Sequence, residues 1–337
     1  MTVQGKQAIK VALSLALTIF LALSFGWEKP YWGGLAVVVM ATAESYSHAL
    51  SKGRQRLLGT VLGVILAFVW ISLFAQQREL FFLSFVTTGA IAAYASAQSR
   101  FSYVYKMTFL VASIVSLSGG LTEQHSFYLA ILRGQETLLG VICFSVVHSV
   151  LWPSMNQDSS TASASGSIGL VSPHRTGLTR AAKFIVINSA AWLAWIYLPI
   201  PGGFLFPILM ASLSNALVEF PARWFNQLML LVIGWAVVVL LQYVLLLPQL
   251  TAGWQLALFY FANCFVAWRL FHRPEQLPLR MLGAQMLLML TMTAQYLRPV
   301  YDIILPLQML LYMLIAMALI RLVCAAVEQM LEPQLGA

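Results

Sequence analysis

The run LRGQETLLG at residues 132–140 sets Arg133 and Glu136 three positions apart in an otherwise apolar stretch. On a helix, that spacing puts guanidinium and carboxylate on one face. The two can pair with each other, or divide a ligand and a proton between them. A guanidinium forks two hydrogen bonds to a carboxylate, which suits an organic acid. A glutamate held out of water can take up a proton and carry it. The competing reading is a structural ion pair near the outer rim, since ionisable groups at membrane depth mark either a pathway or a paired lock.

Other residues offer less. His148 follows Glu136 by twelve residues, which at about 1.5 Å per residue puts it almost a leaflet away; packing competes there with a proton-relay role. Glu44 precedes the basic run SKGRQR, expected to be a loop, in which Lys52, Arg54 and Arg56 can line an anion-attracting vestibule or simply anchor the inner face. Gly59 and Gly63 in GTVLG form a small-xxx-small face for close helix packing. Trp27, Tyr31, Trp32, Trp152, Trp192, Trp195 and Tyr197 fall near the expected rims, where interfacial belts claim aromatics first.

These residues require helices around them. Of 337 residues, 60% are hydrophobic and 9% charged, against roughly a quarter charged in a soluble domain. A net charge of +8, with no basic block interleaved with aromatics, does not indicate nucleic acid. Cys143, Cys264 and Cys324 all lie in apolar runs, so neither a disulfide framework nor a zinc site is expected. Lys6 and Lys10 before an apolar run resemble a signal peptide, but no small-x-small cleavage site follows.

With ~20 apolar residues per span, the hydropathy breaks give twelve stretches: approximately 9–26, 30–46, 56–76, 79–97, 103–121, 131–152, 181–199, 203–219, 225–247, 253–270, 279–297 and 302–324. Residues 1–152 and 178–337 form the two halves, joined by a Ser/Gly/Ala-rich flexible linker at 153–177. Shifting the sequence by 173 places Pro30 on Gly203 and Lys10 on Lys183. The expected fold is therefore an all-α integral membrane protein of two parallel six-helix repeats. In the second half the counterpart of Glu136 is Met309, and Asn188, Asn215, Asn263, Gln285 and Gln295 are neutral, so any charge-dependent step belongs mainly to the first half. With the N-terminus cytoplasmic, fifteen Lys and Arg fall inside and four (Lys29, Arg78, Arg133, Arg298) outside; both termini and the linker are then cytoplasmic.

Phosphate-loop, HExxH, GxSxG and dinucleotide fingerprints are missing, so ATP is not an evident fuel, no cofactor or metal is expected, and an enzyme ranks last. Four blocks together, PYWGGLAVVV (30–39), GRQRLLGTVLG (53–63), LRGQETLLG (132–140) and HSVLWP (148–153), resemble the fusaric acid resistance and aromatic acid exporter family in order and spacing. The resemblance covers roughly 30–153, and the second half is similar only in span pattern. It carries the family's motifs onto Arg56, Gly59, Gly63, Arg133, Glu136 and Gly140.

The resemblance implies a bacterial inner-membrane exporter of aromatic or other weak organic acid anions, driven by a gradient and working with a periplasmic adaptor of the membrane-fusion type. Plant aluminium-activated malate transporters look distantly related, which raises an anion channel and a homodimer as alternatives; a non-transporting scaffold subunit is a third. The short linker departs from the sizeable cytoplasmic region of larger members. The residues expected to meet substrate are Arg133, Glu136, Arg56, Arg54, Glu44 and His148, and those expected to pack helices are Gly59, Gly63 and Gly140.

Overall fold

A computed structural model describes residues 3–43, 45–74, 76–118, 123–152 and 173–331. Among these, twelve α-helices follow one another without a strand: α1 (Val3–Ser24), α2 (Tyr31–Met40), α3 (Tyr46–Phe74), α4 (Arg78–Gln98), α5 (Ser102–Ser118), α6 (Glu123–Val150), α7 (Pro173–Tyr197), α8 (Leu205–Leu217), α9 (Phe225–Leu245), α10 (Gly253–Leu270), α11 (Leu277–Leu290) and α12 (Ile304–Leu331). Six of the described helical segments are long and apolar enough to cross a membrane, and α2, α5, α8 and α11 are shorter apolar helices. The flanks of α3 and α9 expose Leu58, Val61 and Ile65, and Leu230, Val237 and Leu241. Apolar surface on that scale belongs in lipid. The chain is a multi-pass, all-helical membrane protein.

The helices end where the sequence leaves them no alternative. α1 stops at Gly26, whose φ of 72° is open to glycine at little cost. There the N–H of Trp27 returns to the carbonyl of Ala22 and that of Gly26 to the carbonyl of Leu23, a reciprocal closure of the last turn. Pro30 then starts α2. α2 is short and almost wholly enclosed, with Tyr31, Gly33, Gly34, Ala36, Val37, Val38 and Met40 buried among α1, α3, α6 and α11. α8 is held similarly by α5, α7 and α12.

The packing partners recur six helices further on: α1 on α2 and α7 on α8, α2 on α6 and α8 on α12, α3 on α5 and α9 on α11, and α2 on α11 and α5 on α8. The two halves meet along α1 with α10 and along α4 with α7. At the second seam Phe184 packs where a Cβ on Gly89 would sit, amid Trp70, Phe81, Phe85, Phe109 and Trp192. In lipid, close contact of this kind and not the hydrophobic effect holds helices together.

Several expected boundaries move. α6 begins at Glu123, eight residues before the expected 131, because the segment 123–130 continues the helix past its apolar part. Arg133 is thus ten residues, about 15 Å, from the start of the helix. The run SKGRQR is no loop: it lies within α3, which starts at Tyr46. The stretch 279–297 breaks into α11 and a separate 3-10 turn at Met292–Gln295. α7 starts at Pro173, inside the expected linker; residues 153–172 lie outside the described residues, as does Glu44.

Candidate functional site

The site forms where α2 crosses α6. A Cβ on Gly33 would lie 2.8 Å from the carbonyl oxygen of Glu136 and 2.7 Å from the Thr18 methyl, and one on Gly140 would meet the backbone of Gly33. Only glycines allow the two backbones this close. The approach encloses the α6 side chains on that face: Glu136 is fully buried and Arg133 is 3% exposed.

Arg133 and Glu136 are not an ion pair. The structure divides them, and among the described residues no salt bridge joins them. The backbone N–H of Lys29 donates to Glu136 Oε1 at 3.0 Å, so the turn that Gly26 begins delivers a donor to the carboxylate. Glu136 Oε2 has no partner among the described residues. Arg133 instead lies flat on Trp32, its guanidinium carbon 3.5 Å from the ring centroid. All three of its guanidinium nitrogens lack a hydrogen-bond partner there. A cation desolvated over an indole face gains about 2 kcal/mol, less than a guanidinium loses when its donors go unmet in a low-dielectric interior.

A second guanidinium stands nearby. Arg56 is buried, and the charge it carries is close enough to Arg133 to act on it. Its Nη1 donates to the Tyr103 hydroxyl at 2.8 Å. The expectation that Arg56 belongs to a cytoplasmic basic loop is therefore corrected: it is a bundle residue on α3. α3 in turn lies tightly on α5, where Cβ atoms on Gly59 and Gly63 would come within 2.6 Å of Met107 Cβ and of the Thr108 carbonyl oxygen. Arg54, two residues earlier, points outward and is exposed.

A small cavity of about 40 Å³ opens against this cluster, lined by Lys29, Tyr31, Trp32, Ser118, Leu132 and Arg133 among others. Lys29 is half-buried at its edge. Burial holds the Lys29 ammonium below the ordinary lysine pKa, with the nearby Glu136 and Glu28 carboxylates opposing that shift and Arg133 reinforcing it. Other ion pairs lie elsewhere: Glu219 bridges Lys106 at 2.6 Å and Arg180 at 3.1 Å, and Glu328 meets Lys183 at 3.5 Å.

His148 is not part of this cluster. Its ring stacks on Phe144 at 3.8 Å, with Tyr46 beyond, and its Nδ1 bonds the Phe144 carbonyl oxygen. Tyr31 and Trp32 are not rim aromatics: Tyr31 is buried and Trp32 carries Arg133. Trp192, also placed at a rim from sequence, is buried among Phe81, Phe82 and Phe85. The residues missed in the sequence were Lys29, Trp32 and Tyr103. The first two adjoin Pro30, so the block PYWGG already pointed to them.

The elements that build this cluster all precede the middle of α7, and the fusaric acid resistance protein family matches residues 5–183, more than half of the chain. The chain belongs to this family. Its relatives include a "p-hydroxybenzoic acid efflux pump subunit AaeB" of Edwardsiella ictaluri (strain 93-146), 28% identical over 156 residues, which are 43% of this chain and 24% of the relative. The protein of the same name from Musicola paradisiaca (strain Ech703) is 25% identical over 162 residues, 45% of this chain and 25% of its own. That of Edwardsiella tarda (strain FL6-60) is 26% identical over 156 residues, again 43% and 24%. The chain thus spans about a quarter of the length of the curated relatives it matches. No solved structure matches it. In this member of the fusaric acid resistance family, Gly33, Gly140, Arg56, Arg133 and Glu136 all fall inside the family match.

Proposed function

We propose that the protein exports aromatic or other weak organic acid anions across the bacterial inner membrane. The observation that carries the reading is Arg133: a guanidinium buried three helical turns inside α6, seated on an indole face, with its nitrogens unpartnered among the described residues. A carboxylate supplies the fork of acceptors this group lacks, and an aromatic acid brings a ring suited to the Tyr31 and Trp32 surroundings. Glu136, whose Oε1 accepts from the Lys29 backbone N–H, is the group that exchanges protons and so couples export to a gradient. Arg56 adds positive potential on the inner side, and the basic residues at the helix ends, Arg54 among them, concentrate anions before entry.

Relatives named as pump subunits support a partner protein, taken here as a periplasmic adaptor. The recurrence of packing pairs at an offset of six helices supports two parallel repeats; the excess of Lys and Arg on one side supports cytoplasmic termini. A cavity of about 40 Å³ has no room for an aromatic acid, which favours a carrier closed in this state over an open anion channel.

The test is efflux of p-hydroxybenzoate from loaded cells. Arg133→Gln is expected to abolish efflux at undiminished membrane abundance, and Arg133→Lys to retain a small part of it, since a lysine keeps the charge and loses the fork. Undiminished efflux in Arg133→Gln removes the assignment.

A further inference from the structure

We infer that the Arg133 cavity is a binding site for a small monovalent inorganic anion of chloride size, occupied when no organic anion is present. The inference rests on the reading of Arg133 as an anion receptor, but on no organic substrate. Two cationic side chains line the cavity, Arg133 and Lys29. Arg133 lines the cavity and is 3% exposed, and none of its guanidinium nitrogens has a hydrogen-bond partner among the described residues. Glu136 makes no salt bridge with it among the described residues, and one of its carboxylate oxygens accepts from the Lys29 N–H. The guanidinium of Arg56 adds to the positive potential.

Volume selects the ligand. One water needs about 10–15 Å³ of such space, so a cavity of about 40 Å³ receives a monatomic anion with water beside it and excludes an aromatic ring. Most of the wall is apolar, from the Trp32 ring and the side chains of Leu129, Leu132, Ile114 and Val115, and the hydroxyl-bearing residues on it, Tyr31 and Ser118, can also donate to an anion. An anion held there compensates the buried charge, and an incoming carboxylate must displace it. Organic and inorganic anions therefore compete for one group.

The experiment uses the full chain in detergent, titrated with chloride against gluconate at constant ionic strength. The expected result is a melting temperature that rises and saturates with chloride, together with a saturable iodide quenching of tryptophan emission that chloride reverses. Trp32→Phe is expected to remove the saturable quenching, and Arg133→Gln to remove the chloride dependence of melting. Identical melting curves in chloride and gluconate overturn the inference, as does an unchanged chloride dependence in Arg133→Gln; either result means that Arg133 is compensated internally, by Glu136 above all. If Arg133→Gln does not fold, Lys29→Gln serves: a chloride midpoint raised several-fold supports the site, and an unmoved midpoint overturns it. Chloride indifference combined with loss of p-hydroxybenzoate efflux in Arg133→Gln would sink this inference alone, whereas chloride binding with undiminished efflux would sink the export reading alone.

Discussion

Gly140 of α6 lies directly on the backbone of Gly33 in α2, so that a Cβ added to Gly140 would strike the Gly33 carbonyl. The neighbour is main chain and cannot rotate away. Gly140→Ala should push α2 and α6 apart at an overpacking cost of about 1–3 kcal/mol, lowering the melting temperature in detergent and disturbing the Lys29–Glu136 hydrogen bond. Gly134 is on the same helix with nothing within 4 Å of its Cβ position. Gly134→Ala should leave melting unchanged or slightly raised. Equal effects of the two substitutions would show that the crossing is not tight.

Trp32 and Arg133 should be energetically coupled. Trp32→Leu is expected to cost about 2 kcal/mol while the guanidinium rests on the ring, and much less in an Arg133→Gln background. A double-mutant cycle on thermal or denaturant stability measures the difference. A cycle that closes with no coupling would mean that the stacking at 3.5 Å contributes nothing.

Glu136 holds its place by accepting from the Lys29 N–H. Glu136→Gln keeps an acceptor there, so abundance should be normal while efflux ceases to respond to an imposed pH gradient. Glu136→Leu leaves that N–H unsatisfied and should also destabilise, by about 1–3 kcal/mol. The comparison, read as efflux per molecule at several pH values, separates proton exchange from scaffolding. A pH response retained in Glu136→Gln places the coupling elsewhere.

Much of this arrangement was legible in the sequence. Twelve apolar stretches became twelve helices because long aliphatic runs leave few alternatives in lipid. The candidate pair Arg133 and Glu136 was legible because charge stands out against such a background. Their mutual geometry was not, since helical spacing says that two groups share a face and nothing of what the opposing helix presents. Here α2 presents an indole to one and a turn presents an N–H to the other. Hydropathy likewise placed Arg56 at the boundary between the basic run and the third stretch, 56–76, because a cation costs the same in any hydropathy window; the α3–α5 packing and the Tyr103 hydroxyl explain its burial. Trp32 and Trp192 show the same limit, as rim and interior tryptophans read alike in one dimension.

Lys29 predicts a pH dependence for anion affinity. Burial lowers its pKa, so the ammonium charge at the cavity edge is present below that value and lost as pH rises through it, earlier than for an ordinary lysine. Anion affinity should therefore decline at a pH below the ordinary lysine range, and Lys29→Arg should move the decline out of reach. Affinity measured by chloride titration at stepped pH checks this; a Lys29→Arg profile identical to that of the parent chain refutes it.

Arg56, Arg133 and Glu136 all lie within the first six helices. Where α8 crosses α12, Phe206 meets the edge of Tyr312 and fills the space with rings. One receptor per polypeptide follows, in spite of the doubled framework. Ligand titrations should thus reach an end point at a single equivalent per chain, and the six helices that carry no such receptor are free to change sequence under demands of shape alone.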